Sequence, residues 1–303
     1  MKKNFLITDN FVNSRLDRWF KRNVRIVPQS LIEKNIRKGN IKVNNKKEKS
    51  SYKLKIKDQI SIYNINFVEK KHNKIKEKYI PTNKDLSYSS KIFIEDNENF
   101  VVINKPAGIS VQSGTKSKRN IIDILRLTKE FKGHSPYTVH RIDKETTGIL
   151  IVAKNRKYAQ LFTSLFRIRK IHKIYLGIVL GQPEVNKGTF RDELIYYENG
   201  KEIKSLGITH YNVLDSNNKY SLLRLSPVTG KKHQLRKQLL IHGYPILGDH
   251  KYRISNSKIK KSSTMMLHAY KINFSIADLR YNFTADPPQE FKNALKEKYL
   301  KIY

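Results

Sequence analysis

The chain has 303 residues, enough for two domains, and its 61 Lys and Arg against 26 Asp and Glu give a formal net charge of +35. That excess favours a polyanionic partner, chiefly nucleic acid or an acidic membrane face. The lack of cysteine excludes disulfides and thiolate metal sites, and no apolar run approaches the roughly 18–20 residues that span a bilayer.

The first 63 residues predict a small domain of two helices followed by short strands. Two Ser-x-x-acid pairs, Ser14 with Asp17 and Ser30 with Glu33, have the spacing of helix capping boxes. Gly39 is placed to end the second helix. Apolar residues follow at helical spacing: Leu16, Trp19, Phe20, Leu31, Ile32 and Ile36. Alternating apolar and polar residues then predict strands around 41–43, 54–56 and 60–62.

Basic side chains accompany both predicted helices: Arg15, Arg18, Lys21, Lys34, Arg37 and Lys38. The fragments RLDRWF and SLIEKNIRKGNIKVNN resemble the S-four-like RNA-binding domain, named for a ribosomal small-subunit protein. This resemblance implies RNA contacts by four of these residues: Arg15, Arg18, Arg37 and Lys38. The alternative is a solvated basic face without a partner. Residues 64–90 lose periodicity and gain Lys, Asn and Ser, which predicts a basic linker.

Residues 91–303 predict a larger domain. Strands are expected around 92–95, 100–103, 174–180, 220–225 and 265–274. Asn155 can cap a helix whose apolar stripe is assigned to the core and not to base stacking: Tyr158, Leu161, Phe162, Leu165 and Phe166. Strands and helices mix without a regular βαβ rhythm. We therefore predict an α+β fold around a mainly antiparallel sheet.

The segment HRIDKETTGILIVAKN, residues 140–155, carries the strongest chemical signal. It places Asp143 in a polar loop just before an apolar strand, on a chain rich in positive charge. By residue type alone, ordinary turn chemistry explains such a loop. The wording of the whole segment, however, resembles the active-site motif of the large-ribosomal-subunit class of RNA pseudouridine synthases. In that family the aspartate of the motif is catalytic, which implies that role for Asp143.

The arginine of the same motif enters the RNA helix in that family, near the space that the flipped nucleotide vacates. This implies RNA binding by Arg141, with His140 beside it. A guanidinium stacks and hydrogen-bonds at once, which suits it to hold an extruded state. The alternatives for Arg141 are a phosphate contact and a salt bridge to Glu145.

Three other elements of the chain are similar to family motifs. They are NKPAG at 104–108, KIYLGIVLG at 173–181, and TGKKHQLR at 229–236 followed by GYPILGD at 243–249. The family's tyrosine stacks on the target base, which implies that role for Tyr175; an ordinary strand aromatic is the alternative. The family's last arginine pairs with the catalytic aspartate, which implies that role for Arg236; surface structure is the alternative.

The chain departs from the family pattern at two positions. Lys231 replaces an arginine, which keeps the positive charge but loses the planar set of guanidinium donors. Gln238 replaces a histidine. Neither belongs to the three implied catalytic residues, so the departures put substrate contacts in doubt more than chemistry. Lys231 and Lys232 remain predicted RNA contacts.

The resemblance implies isomerisation of specific uridines to pseudouridine in 23S ribosomal RNA, on a flipped-out nucleotide, with Asp143 as nucleophile and neither cofactor nor metal. Whether the carboxylate attacks the sugar, adds to the base or assists its departure stays open. Tyr175 is a hypothesis for the base that removes the final proton. The N-terminal domain and the segment VQSG at 111–114 are most similar to the C-type enzymes.

Two other functions fit parts of the same sequence. One is a non-catalytic RNA-binding ribosome-assembly factor, and the other is a synthase acting on tRNA or organellar ribosomal RNA. The expected partner is 23S RNA or a pre-50S particle, with no membrane and no small-molecule cofactor, and the expected state is a monomer. No signal or transit peptide precedes Ser14, so we expect the bacterial cytoplasm, with an organelle matrix as the alternative.

Overall fold

Two units, residues 1–76 and 77–303, make up the chain in this computed structural model. The structure describes residues 2–8, 11–24, 27–63, 79–82, 85, 91–113, 119–198, 201–254 and 264–302. The predicted linker at 64–90 lies largely outside the described residues. Its described residues, 79–82 and 85, belong to the larger unit.

The described residues of the first unit form three strands and two helices: β1 (Lys2–Leu6), α1 (Leu16–Asn23), α2 (Gln29–Lys38), β2 (Ile41–Val43) and β3 (Gln59–Tyr63). The strands form an antiparallel sheet in the order β1-β3-β2. Trp19 and Phe20 of α1 are buried together with Ile32 and Ile36 of α2, as the helical spacing predicted. These side chains form the core of the unit together with the apolar residues of the strands.

The predicted capping boxes are wrong in position. The residue before α1 is Arg15 and the residue before α2 is Pro28, and neither caps its helix through a side chain. Asp17 is instead buried, and it accepts hydrogen bonds from Arg15 Nη2 at 2.7 Å and from Gln29 Nε2 at 2.9 Å. The carboxylate therefore ties α1 to the start of α2.

Two further expectations for this unit have different outcomes. Gly39 ends α2 in the left-handed conformation, at φ 79°, as predicted. The strand predicted at 54–56 is absent, because Leu54 is buried while Ile56 lies in an exposed turn. Strand β1 was not predicted, since its sequence KKNFL has little alternation.

The second unit is built on one sheet. Its strands are β4 (Phe93–Asp96), β5 (Phe100–Lys105), β6 (Tyr137–Thr138), β7 (Thr147–Ala153), β8 (His172–Leu180), β9 (Lys187–Glu198), β10 (Lys201–Ser216), β11 (Tyr220–Pro227), β12 (Leu267–Ile276) and β13 (Leu279–Thr284). The strand order is β4-β5-β7-β12-β8-β11-β10-β9, with β6 on β7 and β13 on β12. Within the described residues, only the β12–β7 pairing is parallel. The predicted α+β fold with a mainly antiparallel sheet is confirmed.

Four α-helices accompany this sheet in the described part of the chain: α3 (Ile121–Leu125), α4 (Arg156–Arg167), α5 (Gln234–Ile241) and α6 (Gln289–Glu297). Asn155 caps α4 as predicted, its Oδ1 accepting from the Tyr158 backbone N–H at 2.9 Å. Phe162 is buried in the core, whereas Phe166 is only half-buried. No helix of the described residues is long and apolar enough to cross a bilayer.

The parallel contact between β7 and β12 sets the position of the loop that precedes β7. Thr147 and Gly148 pair with His268 and Ala269 at this contact. Gly148 has φ +103°, and a Cβ atom there would lie 2.2 Å from the Ala269 carbonyl oxygen. Only glycine allows the backbones to approach so closely. The loop carrying Asp143 therefore begins from a fixed point of the sheet.

A long hairpin of β9 and β10 was not predicted. Its strands pair from Lys201 opposite Glu198 to Asn212 opposite Lys187. Gln238 of α5 anchors to this hairpin: its Oε1 accepts from Thr209 Oγ1 at 2.7 Å, and its Nε2 donates to Asp192 Oδ2 at 2.8 Å. The side chain is fully buried. Gln238 therefore holds α5 against the sheet, and the departure from the family's histidine concerns the fold.

Candidate active site

Asp143 lies in the loop before β7, on the wall of a cavity of about 660 Å³. The loop, the first half of β8, the end of β11, and the segment that leads from β11 into the start of α5 line this cavity. Seven of the predicted site residues line it: His140, Arg141, Asp143, Tyr175, Lys231, Lys232 and Arg236. Segments far apart in sequence thus converge on one site within the second unit.

Arg236 bridges two carboxylates. Its Nη1 donates to Asp143 Oδ2 at 3.0 Å, while its Nε and Nη2 donate to the two oxygens of Asp249 at 2.7 and 2.8 Å. Burial alone would lower the pKa of Arg236, but the hydrogen bonds and charges of Asp249 and Asp143 raise it above its ordinary value. A permanently charged guanidinium that Asp249 holds in place therefore orients the Asp143 carboxylate.

Asp249 is the buried anchor of this pair. Burial would raise the pKa of Asp249, but the hydrogen bonds from Arg236 and from the backbone N–H groups of Tyr252 and Lys251 hold it below its usual range. Its carboxylate accepts from those N–H groups at 3.0 and 2.8 Å. The sequence motif GYPILGD contains Asp249, but sequence reasoning gave it no role.

Tyr175 lies on β8, with Leu225 of β11 and Ala269 of β12 as its strand neighbours. Its ring packs against two of the apolar core clusters of the second unit. Burial, followed by the charge of Asp143, raises the pKa of the Tyr175 hydroxyl far above its ordinary value. A neutral phenol suits a stacking surface, and the cost of ionisation weighs against the hypothesis that Tyr175 removes the final proton unaided.

Positive charge dominates the cavity wall. The lining includes seven cationic side chains: Arg141, Arg167, Arg169, Lys173, Lys231, Lys232 and Arg236. Asp143 is the one acid that lines it in the part of the chain that the structure describes. Burial lowers the pKa of Lys173, which sequence reasoning missed although it opens the KIYLGIVLG motif. This distribution suits a phosphate-bearing ligand.

Arg141 is exposed at the edge of the cavity. Glu145 pairs with Lys144 at 3.9 Å, and the described residues show no ion pair between Arg141 and Glu145. The salt-bridge alternative for Arg141 is therefore not what the structure shows. Its predicted contact with RNA stays a prediction.

His140 has a role within the fold. Its Nε2 accepts from the Ile151 backbone N–H at 2.8 Å, and its ring stacks on Phe166 with 4.6 Å between centroids. Burial, with a smaller effect of Lys173, lowers the pKa of His140 to about 3. The ring is neutral near pH 7, so the predicted RNA contact would use the uncharged ring face or the Nδ1–H group.

Lys105, the last residue of β5 and part of the NKPAG motif, does not line the cavity but supports the loop of Asp143, a role that sequence reasoning missed. It is fully buried, and its Nζ donates to the carbonyl oxygens of Pro106, Ile109 and Lys144 at 2.7, 3.0 and 3.1 Å. Burial lowers its pKa to about 7. Lys144 directly follows Asp143 in the chain. The hydrogen bond from Lys105 to the Lys144 carbonyl therefore connects the NKPAG segment to the loop of the predicted nucleophile.

The remaining predicted RNA contacts lie in the first unit. Arg15 is partly exposed and forms an ion pair with Asp17, while Arg18, Arg37 and Lys38 are exposed on α1 and α2. The described residues contain no cluster of three or more His, Asp or Glu side chains suited to hold a metal ion.

Comparison with known proteins places the whole chain in a family. Residues 99–240 match the family model described as RNA pseudouridylate synthase. The protein named ribosomal large subunit pseudouridine synthase C of Buchnera aphidicola is 33% identical over 96% of this chain and 95% of its own length. The protein of the same name from Rickettsia felis is 35% identical over 87% and 89%.

A solved structure, human RNA pseudouridylate synthase domain containing 4, superposes with a TM-score of 0.62 at 28% identity, covering 72% of this chain and 96% of that one. The sequence relatives extend over nearly the whole chain, and the matched region contains the loop of Asp143, Tyr175 and Arg236. The chain therefore belongs to the RNA pseudouridine synthase family.

Proposed function

We propose that this enzyme isomerises specific uridines to pseudouridine in large-subunit, 23S ribosomal RNA, with Asp143 as the nucleophile. The observation that supports this role best is the position of Asp143: it is the one acid among the described residues that line the cationic cavity, and Arg236 Nη1 donates to its carboxylate at 3.0 Å. A carboxylate surrounded by cationic side chains can act as a nucleophile on a polyanion.

The reaction breaks the bond between the sugar and the uracil nitrogen and joins the same base again through a ring carbon. No atom is added and no electron is transferred overall. The Asp143 carboxylate attacks the anomeric carbon, adds to the base, or assists its departure; the arrangement supports all three. Tyr175 offers a ring face for the detached base, which must turn without leaving the cavity.

The target nucleotide has to leave its stack before it reaches Asp143. The cavity of about 660 Å³ falls within the range of small-ligand sites and accommodates one nucleotide. Lys231, Lys232 and Lys173 supply charge for its phosphates, while the exposed Arg141 is placed to enter the space left in the RNA.

Ribosomal RNA is proposed as the substrate because the full-length relatives are named as large-subunit synthases. We assign RNA binding to the first unit as an S-four-like domain, through Arg15, Arg18, Arg37 and Lys38, which carry positive charge on or beside two helices. A monomer that works in the bacterial cytoplasm without a cofactor completes the proposal.

Site-resolved pseudouridine mapping on unmodified large-subunit RNA tests this function. We expect signal at a few uridines with the wild-type enzyme and none with Asp143→Asn. Asp278→Asn is the matched control, because Asp278 is exposed in the turn between β12 and β13. Tight, salt-sensitive binding without any signal would favour the assembly factor, and signal on tRNA alone would favour the tRNA alternative.

A further inference from the structure

His233 occupies the position before α5 in the left-handed conformation, at φ 55°. This conformation is uncommon for a residue other than glycine and is found where the surroundings impose it. Its ring lines the cavity between two partners: Nε2 is 3.6 Å from Asp143 Oδ1, and Nδ1 is 2.8 Å from the Tyr252 hydroxyl. The chemistry proposed above uses neither His233 nor Tyr252.

The protonation of His233 decides what its ring can do. Burial lowers its pKa to about 4, against the charge of Asp143, which raises it, and with those of Arg236, Lys251 and Lys232, which lower it further. Near pH 7 the imidazole is therefore neutral and carries one N–H group.

Two tautomers of this neutral ring are compatible with the Tyr252 contact. In one, the Tyr252 hydroxyl donates to Nδ1 and the Nε2–H group faces Asp143. In the other, Nδ1–H donates to the hydroxyl oxygen, and a lone pair on Nε2 faces the lone pairs of the carboxylate. The second arrangement sets two acceptors against each other, so electrostatics favours the Nε2–H tautomer.

Tyr252 is itself held for this contact. Its backbone N–H donates to Asp249 at 3.0 Å, and the Arg236 guanidinium lies over its ring, 4.9 Å from the centroid. Burial raises the pKa of Tyr252, with Asp143 and Asp249 adding to the effect of burial and Arg236 opposing it, so the hydroxyl keeps the proton that it donates. Asp249 thus supports Asp143 by two routes, through Arg236 and through Tyr252.

From this geometry we infer that His233 is a second positioning residue for Asp143, and that Tyr252 selects its tautomer. The inference rests on the proposed role of Asp143. Arg236 fixes Oδ2, and the Nε2–H group of His233 directs Oδ1. At 3.6 Å the latter contact is longer than a hydrogen bond, and we expect it to shorten when the substrate displaces water from the cavity.

Kinetics of matched variants test the role of His233. His233→Gln can place an amide N–H near the position of Nε2, while His233→Asn tolerates the left-handed conformation but is too short. We expect His233→Asn to lower kcat by about 10–100-fold with KM within about 3-fold, and His233→Gln to recover most of that loss. His134→Gln, at an exposed histidine, is the control and should match the wild type.

The contribution of Tyr252 is tested with Tyr252→Phe, which keeps the ring under Arg236 and removes the hydroxyl. It should lower kcat by about 10-fold, and combining it with His233→Asn should cause little further loss, because both changes remove one relay. Tyr137→Phe, at an exposed tyrosine, is the matched control. Fully additive losses, or a wild-type rate for His233→Asn, would overturn the inference.

A spectroscopic measurement separates this inference from the proposed function. Long-range ¹H–¹⁵N spectra of the ¹⁵N-labelled full chain report which ring nitrogen carries the proton, and His233→Gln identifies the signals. We expect the Nε2–H tautomer in the wild type and a mixture in Tyr252→Phe. The Nδ1–H tautomer in the wild type would refute the inference. Failure of the wild type to form pseudouridine would instead refute the function.

Discussion

Arg236 and Asp249 form a buried, two-bond ion pair, with Nε and Nη2 donating at 2.7 and 2.8 Å to separate oxygens of one carboxylate. This pair leaves Nη1 to donate to Asp143. All three guanidinium nitrogens donate a hydrogen bond: Nε and Nη2 bind Asp249, and Nη1 reaches the predicted nucleophile. The buried Arg236–Asp249 pair thus determines the orientation of the Asp143 carboxylate.

Arg236→Lys should abolish most of the activity. A lysine has one ammonium group and cannot reproduce a fork that serves three carboxylate oxygens. We expect the single-turnover rate to fall by about 100-fold or more, since the orientation of Asp143 is lost. Arg224→Lys, at an exposed position on β11, is the control for the same substitution. A wild-type rate for Arg236→Lys would contradict the role of the fork.

Asp249→Asn should destabilise the fold as well as the site. The substitution leaves the buried Arg236 without the full charge of its closest partner, and breaking a buried pair costs about 3–5 kcal/mol. Glu193→Gln removes the carboxylate of an exposed pair with Lys204, and it should cost less than about 1 kcal/mol. Denaturant unfolding of both variants checks the contrast, and equal losses would contradict it.

The sequence predicted elements where one local rule dominated. The stripe of α4 and its Asn155 cap, the Gly39 end of α2 and the apolar strand β7 all follow from helical spacing, cap chemistry or an uninterrupted apolar run. A Ser-x-x-acid pair fits more than one possible first residue of a helix. The pairs at Ser14 and Ser30 therefore predicted the wrong first residues for α1 and α2. The hairpin of β9 and β10 joins strands that are neighbours in the sequence, from Lys201 opposite Glu198, and sequence reasoning missed the Asn-Gly dipeptide between them, which favours a hairpin.

The sequence predicted only part of the site. The family motifs indicated Asp143, Tyr175 and Arg236, and all three line one cavity. The motifs do not indicate which buried side chains form hydrogen bonds that position these three residues. Asp249 and Tyr252 gain their significance only from three-dimensional contacts, at 2.7 Å to Arg236 and 2.8 Å to His233.

Gly148→Ala should be among the most damaging small substitutions. The new Cβ would lie 2.2 Å from the Ala269 carbonyl oxygen and 2.7 Å from its nitrogen, and backbone of a paired strand cannot move aside. We expect a loss of roughly 3 kcal/mol or more. Gly133→Ala isolates the conformational part, because Gly133 has φ +79° with nothing within 4 Å, and should cost about 1–2 kcal/mol. Thermal and denaturant unfolding decide whether the two differ.

His268 should make the stability of the fold depend on pH. It is fully buried, Nδ1 accepting from Thr147 Oγ1 at 2.8 Å while Nε2–H donates to the Ala285 carbonyl at 2.9 Å. Burial, opposed by the hydrogen bond to Ala285, lowers its pKa to about 4 from 6.5. The folded state therefore favours the neutral ring. The stability that the neutral His268 ring contributes is fully present above pH 6.5 and is lost as the pH falls toward 4.

Integrated over that interval, the His268 proton lowers the free energy of unfolding by up to about 3 kcal/mol. His268→Gln should thus reduce the slope of unfolding free energy against pH between 6.5 and 4, the interval that its two pKa values define. His140 and His233, whose pKa values burial also lowers, keep part of the slope. His134→Gln, at an exposed residue, should leave the slope unchanged. Denaturation at a series of pH values is measured for the wild type, His268→Gln and His134→Gln. An unaltered slope in His268→Gln would show that protonation of the His268 ring does not destabilise the fold.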